Sequence, residues 1–357
     1  MISNFNGKNI EDNPNCIIEQ LMNIFPAGKY YWRVDVIPTH AKPNICYVKN
    51  RSLKDLYHTA TAKIWIYNSR CNRLLTKRKN QFYLQTWHGG LGFKKIEADV
   101  ANALPQKYIE GAKNDAKMIN LMTSGSAFFT NLCHTAFWYN GEVLECGTPR
   151  NDIFFNKQKC DQIYFEIREK YNLSPTDKIL IYAPTFRKDQ TLKYYDIDFQ
   201  NTLTNLRKKF NGNWKIFVRL HPNISEKSKQ LPYWSNDIIN ATDYPNSQEL
   251  LIASDALISD YSSIAFDFAL LRRPVFLYAP DYEQYKNDRD FYLDYFSLPF
   301  LAAITTEKLQ ENILNFSQKD YIISLEDFFK NKVGLKETGK ASEEIADRIM
   351  KEIKNAD

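Results

Sequence analysis

The chain has 357 residues, of which 44% are hydrophobic and 25% charged, and a formal net charge of +5. That length suffices for two domains of ordinary size, each with its own core, and the composition is that of a folded chain rather than a disordered one. No apolar run approaches the roughly 20 residues that cross a bilayer, the first residues lack a signal-peptide layout, and the charge is too mild for a dedicated nucleic-acid binder, so a cytoplasmic chain is expected.

Short β-rich apolar runs alternate with longer segments of helical character. In the first half the runs fall at 45–48, 64–67, 82–84, 121–123 and 143–144; in the second they fall at 179–182, 216–218, 256–258 and 275–278. This alternation predicts an α/β fold in which each half is a doubly wound, Rossmann-like parallel sheet. A charged helical stretch at 156–172 and the break at Ser174-Pro175 place the expected boundary near residue 170, giving domains 1–170 and 171–357. The last segment, 342–354, carries Ile345, Ile349 and Ile353 at steps of four behind Glu343 and Glu344, which predicts an amphipathic helix with acidic residues at its favourable end.

Other features lack an assigned place. Arg70, Arg73, Lys77, Arg78 and Lys79, followed by Lys94 and Lys95, form a basic run suited to anionic lipid headgroups or a polyanionic acceptor; a solvated charged face is the plain alternative. Six cysteines without a C-x-x-C pair and five dispersed histidines predict reduced thiols and no zinc site.

Ligands of open α/β sheets bind beyond the carboxyl ends of the strands, and the unusual polar clusters sit there. The run at 82–84 ends in Gln85-Thr86-Trp87-His88-Gly89-Gly90, a histidine in a glycine-rich turn where the backbone can approach a ligand closely. His88 is a candidate proton acceptor at neutral pH. The run at 179–182 leads into Ala183-Pro184-Thr185-Phe186-Arg187, whose guanidinium offers a planar fork for phosphate, or pairs with Asp189 at the surface. Arg219-Leu220-His221-Pro222-Asn223 follows the third cluster's strand, with a partly buried, backbone-bonded histidine as the alternative reading. Ser259-Asp260-Tyr261-Ser262-Ser263 then opens a short apolar-periodic segment. Both serines suit a helix N-terminus and a bound phosphate, and Asp267, one turn on, faces the same way toward an attached polyol; an ordinary N-cap explains them equally.

Together these clusters, with Asn68-Ser69-Arg70 and Gly147-Thr148-Pro149-Arg150-Asn151-Asp152, resemble the CDP-glycerol glycerophosphotransferase family of teichoic acid and capsular polymer enzymes. The resemblance extends from about Ser52 to about Asp294 and implies a GT-B fold of two Rossmann-like domains facing across a cleft. It implies His88 as catalytic base, His221 as a second catalytic histidine at the donor pyrophosphate beside Arg187, Asp260, Ser262, Ser263 and Asp267 near its phosphate and glycerol, and Gly89 and Arg150 as further substrate contacts. The implied donor is CDP-glycerol or a related CDP-polyol such as CDP-ribitol. The acceptor is a lipid-linked or polysaccharide hydroxyl, the product side is CMP, and neither metal nor cofactor is called for.

The expected domain roles are acceptor in the first half and donor in the second. An anionic membrane surface is a candidate partner, placing the chain at the inner face of the cytoplasmic membrane. Asp196-Ile197-Asp198 has the D-x-D form of a metal motif but lies outside the matched segments, and Gly89-Gly90-Leu91-Gly92-Phe93-Lys94-Lys95 departs from the glycine-threonine-proline form of wall teichoic acid enzymes, which points to a capsular acceptor. A nucleotide-sugar glycosyltransferase of the same fold and a non-catalytic anionic-polymer-binding module are the alternatives.

Overall fold

The computed structural model describes residues 1–71, 76–187, 195, 197–221, 224–229, 231–288 and 290–354. Arg73, Asp189, Asp196, Pro222 and Asn223, raised by the sequence, lie outside the described residues. The chain forms two compact units. The first comprises 1–91, 96–155 and 333–357, and the second 92–95 and 156–332.

The first unit is built on strands β1 (Ile2–Ser3), β2 (Tyr30–Val34), β3 (Ile45–Lys49), β4 (Ile64–Tyr67), β5 (Phe82–Gln85), β6 (Leu121–Ser124) and β7 (Glu142–Glu145), all parallel, in the order β3-β2-β1-β4-β5-β6-β7. The second carries β8 (Asp177–Ala183), β9 (Asn213–Val218), β10 (Ile238–Asn240), β11 (Ala256–Ser259), β12 (Val275–Tyr278) and β13 (Leu301–Ala303), also all parallel, in the order β10-β9-β8-β11-β12-β13. Strands covered on both faces read as continuous apolar runs, which is why Ile64–Tyr67 and Val275–Tyr278 stand out in the sequence. β1, at two residues, and β13, flanked by exposed positions, leave no such trace.

Two features of the predicted organisation are corrected. The division falls after Phe155 rather than near 170, because the helix Lys157–Lys170 buries Ile163 and Ile167 in the second unit. The C-terminus, counted above with the second half, belongs to the first unit, where the resemblance to a GT-B fold leads one to expect the last helix to pack. The helix Ala341–Lys354 lays Ile345 and Ile349, both essentially inaccessible, with Ile353 at the edge, into a core shared with Ile2, Ile17, Ile18, Leu21 and Trp32. The first 50 residues are therefore integral to the first sheet and its core, not a preamble.

In both units the strand order reverses at one place, between β1 and β4 and between β8 and β11. The splayed loops at such a switch point leave a crevice, so the carboxyl ends of these strands are where a ligand site is expected.

Candidate functional site

In the first unit that crevice is framed by the ends of β1, β4 and β5. Gln85, fully buried, accepts the Trp87 amide proton on Oε1 (3.0 Å) and donates through Nε2 to the Ser69 carbonyl (3.1 Å). This staples the turn that presents His88 and holds Trp87 at φ 53°, a left-handed conformation unusual for a large side chain. His88 is bracketed by two rings, Trp87 stacked at 4.4 Å and Phe5 tilted at 5.1 Å.

His88 Nδ1 lies 2.7 Å from the Asn68 carbonyl. A carbonyl only accepts, so Nδ1 carries the proton and Nε2 keeps its lone pair. Burial pushes the imidazole pKa down, opposed by the bond to Asn68, so the ring is held neutral with Nε2 unprotonated. That is the state a general base requires. Asn68 itself is fully buried and accepts the Phe5 amide on Oδ1 (2.8 Å), while its Nδ2 and the Ser69 Oγ are buried without a hydrogen-bond partner among the described residues.

Arg150 is nearly buried and does not present its guanidinium as a free anion-binding fork. Its Nη1 donates to the His88 carbonyl (2.8 Å) and pairs with Asp12 (3.2 Å), while its amide donates to Asn13 Oδ1 (3.1 Å). Asn13 Nδ2 in turn donates to the Trp87 carbonyl (3.1 Å). Arg150 and the pair Asp12-Asn13 thus hold the histidine turn from behind. The loop that carries Arg150 is itself fixed by Glu337, which accepts the Thr148 amide (3.0 Å) and sits against Gly147, where φ is +101° and a side chain would meet the carboxylate. Gly89 and Gly90 are half-buried beside His88.

In the second unit the predicted clusters end three neighbouring strands, β9, β8 and β11. Asp260 is buried and its Oδ1 accepts from the Thr185 amide (2.8 Å) and hydroxyl (2.6 Å), bridging the switch point. Arg187 is buried too: its guanidinium pairs with Asp260 (2.8 Å) and Asp281 (2.7 Å) and donates to the Thr185 carbonyl (2.6 Å). The rings of Tyr261 and Tyr285 lie near its carbon at 5.1 and 5.0 Å, and Tyr261 donates to Asp281 (3.0 Å). The guanidinium expected to meet phosphate is thus spent on two carboxylates, as a clamp between the loops after β8 and β11. Asp281, which the sequence did not single out, is the second jaw.

His221 is exposed rather than partly buried, and its ring lies 5.0 Å from that of Phe186, which joins the ends of β9 and β8. Arg219, two residues earlier, is turned toward the Ala241 and Tyr244 carbonyls. Ser262 and Ser263 are half-buried at the end of β11, ahead of the six-residue helix Ile264–Ala269. Ser263 occupies the N-cap without a side-chain cap bond, and Ser262 Oγ accepts the Ile264 amide at a long 3.4 Å, so ordinary capping does not account for the pair. Asp267 accepts from Gln248 Nε2 (3.3 Å).

Among its described residues the basic run of the sequence is divided, with Arg78 and Lys79 exposed and others engaged by partners. Arg70 is buried against Glu97 (2.8 Å) and Asp115 (3.3 Å), Lys77 donates to the Gln81 carbonyl (2.7 Å), and Lys95 pairs with Asp290. The six cysteines form no disulfide, with Cys71, Cys133 and Cys146 buried. Asp198 caps the helix Phe199–Phe210. Among the described residues no group of three or more His, Cys, Asp or Glu side chains is placed to hold a metal ion, and no helix is long and apolar enough to cross a membrane.

Two parallel doubly wound units with polar strand ends at their switch points define a GT-B-type α/β protein. Within that class, residues 1–351 match the family model of CDP-Glycerol:Poly(glycerophosphate) glycerophosphotransferases, and the chain belongs to that family. It is 32% identical to a teichoic acid poly(glycerol phosphate) polymerase of Staphylococcus epidermidis over 99% of this chain and 50% of the relative, and 31% identical to that of Bacillus subtilis over 98% and 48%. The chain thus spans about half the length of these two relatives. It is 30% identical to a teichoic acid glycerol-phosphate transferase of Staphylococcus aureus over 97% of this chain and 91% of the relative.

The solved structure of the wall teichoic acid polymerase TagF superposes with a TM-score of 0.87 at 30% identity, covering 99% of this chain and 89% of that one. A UDP-N-acetylglucosamine 2-epimerase of Listeria monocytogenes, at 12% identity and a TM-score of 0.59, shares the fold alone. The family match begins at residue 1, not near Ser52, and runs well past Asp294, in keeping with a first sheet that needs β1 and β2.

Proposed function

We propose that the chain transfers glycerol phosphate from CDP-glycerol to a hydroxyl of a lipid-linked or polysaccharide acceptor and releases CMP, as a step in building a teichoic acid-like or capsular polymer. The observation that carries this reading is the fixed tautomer of His88, a neutral imidazole with Nε2 unprotonated at a switch-point crevice, in a chain of this family. Nε2 accepts the proton of the acceptor hydroxyl as its oxygen bonds to the phosphorus nearer the glycerol. The bond from that phosphorus to the bridging oxygen breaks, and the electron pair leaves with CMP. The second unit holds the donor, with Ser262, Ser263 and His221 at its phosphates and Asp267 at the glycerol hydroxyls. Arg187 and Asp260 act there by fixing the loop that bears the serines rather than by touching phosphate. Little covalent work falls to the protein, so positioning and charge neutralisation dominate.

The chain works at the inner face of the cytoplasmic membrane, where a lipid-linked acceptor is accessible. The deciding experiment is CMP release from CDP-glycerol by the purified chain, with and without acceptor and in the presence of EDTA. Acceptor-dependent release that survives EDTA is expected. Release of CDP from a nucleotide sugar in its place would show a glycosyltransferase, and a preference for CDP-ribitol would change the donor.

A further inference from the structure

Arg70, which the sequence counts in a basic run, opens a buried polar chain that ends at the histidine turn. Its guanidinium is almost inaccessible and is held by Glu97 (2.8 Å), Asp115 (3.3 Å) and the Phe137 carbonyl (3.1 Å), and Tyr108 donates to Glu97. Asp115, on the helix Gln106–Met118, is inaccessible too. It takes Arg70 on Oδ2, while its Oδ1 accepts the Cys71 amide (3.2 Å) and the Tyr83 hydroxyl (3.1 Å). Tyr83 and Gln85 stand two apart on β5 and so on one face of the sheet, where Gln85 Nε2 donates to the Tyr83 oxygen (2.9 Å). At its other end Gln85 Oε1 accepts the Trp87 amide (3.0 Å).

Each link runs in one direction. The Asp115 carboxylate accepts, so the Tyr83 hydroxyl donates to it and keeps a lone pair for Gln85. The Trp87 amide donates, so Gln85 turns Oε1 toward it and Nε2 toward Tyr83 and the Ser69 carbonyl (3.1 Å). Burial and the nearby Asp115 push the Tyr83 pKa up, which keeps the phenol protonated as that donor.

The same groups meet a second time through rings. The Arg70 guanidinium carbon lies 5.9 Å from the Trp87 ring and 5.2 Å from the Phe137 ring, Phe137 meets Trp87 edge to face at 4.8 Å, and Trp87 stacks on His88. The turn is thus held both by its backbone amide and by its ring. Arg150, Asp12 and Asn13 are a separate support, since they engage the Trp87 and His88 carbonyls.

Stability alone is a poor reason for this arrangement. A buried cation with two carboxylates, a phenol and an amide costs desolvation that a packed apolar cluster avoids. Its far end is Trp87 at φ 53°, and left-handed backbone at so large a residue persists where the surroundings impose it. We propose that Tyr83 and Asp115, anchored by Arg70, are positioning residues for His88, fixing the turn so that Nδ1 stays on the Asn68 carbonyl and Nε2 is offered to the acceptor hydroxyl. They act through Gln85 and Trp87 and touch no substrate. The inference rests on the reading of His88 as the base and deepens it.

The test compares the native chain with Tyr83→Phe, Asp115→Asn and the double variant. Ile349→Ala serves as a control that loosens the same unit away from the turn. CMP release from CDP-glycerol is measured with acceptor, and the ring nitrogens of His88 are followed by NMR on chain carrying isotopically labelled histidine, assigned by the signals lost in His88→Gln. Each single variant is expected to lower kcat about tenfold with KM for the donor changed by less than about twofold. The double variant should lose about the same tenfold, because both changes cut one chain. The well-separated signals of protonated Nδ1 and bare Nε2 should draw together in the variants and stay apart in Ile349→Ala, whose kcat is unchanged. Tyr83→Phe keeps the ring and its packing, so it decides the matter alone where Asp115→Asn does not fold. Unchanged kcat in Tyr83→Phe, unmoved ring signals, or an equal loss of kcat in Ile349→Ala overturns the proposal. A native chain that releases no CMP removes the transfer reading, and ring signals that still move would leave the hold of this network on His88 standing.

Discussion

At the scale of single residues, His88 is where environment fixes chemistry. Its lowered pKa means that the basic, neutral form predominates at and above the ordinary imidazole value of 6.5. The profile of kcat/KM is therefore expected to be flat above that pH and to fall as pH drops through the depressed pKa; a limb centred above 6.5 would exclude His88 as the base. The same shift makes His88 a stabilising group above pH 6.5, with its contribution lost as pH falls through the folded-state value. His88→Gln should lower the rate by about a hundredfold with an unchanged circular dichroism spectrum.

Arg150 acts one step back. Arg150→Ala frees the His88 carbonyl and leaves Asp12 unpaired, so kcat should fall about tenfold, with stability lower by about 1–3 kcal/mol, read by urea denaturation. A rise in KM for the donor with kcat intact would place Arg150 at substrate instead.

At the scale of elements, the loops after β8 and β11 are joined by one ion-pair cluster. Removing the cation strands two buried carboxylates, so Arg187→Ala is expected to cost about 3–5 kcal/mol and to melt the second unit early in a thermal scan. Asp281→Asn keeps the shape and weakens the clamp, and should raise KM for the donor more than it lowers kcat, because the serine loop is what it steadies. Unchanged kinetics in Asp281→Asn would deny the clamp a part in positioning. None of this was legible in the sequence. A strand-end arginine beside serines reads as a phosphate ligand, and only the approach of Asp281, 94 residues away, shows the guanidinium already satisfied.

At the scale of the whole molecule, the chain returns to its own beginning. The stripe of the last helix fills a core against the first, so Ile349→Ala should cost about 2–5 kcal/mol. Hydrogen exchange should report the loss in β1 to β7 and leave β8 to β13 protected; loss of protection in both units would show a single cooperative block.

What the sequence by itself determined is what short-range pattern can carry. Apolar runs buried on both faces marked most of the strands, a four-residue step marked the last helix, and polar clusters at strand ends marked His88, His221 and the Ser262-Ser263 turn. Those signals are local because strand and helix periodicity are local. Tertiary structure alone decided where β1 pairs, since two residues hold no periodicity, and why Asp12 and Asn13 stand behind the histidine turn. It also decided which basic residues face solvent. Arg70 and Arg187 are indistinguishable from Lys54 and Arg51 until partners distant in sequence arrive, because the pairing of a charge depends on what folding brings within hydrogen-bond reach, not on its neighbours along the chain.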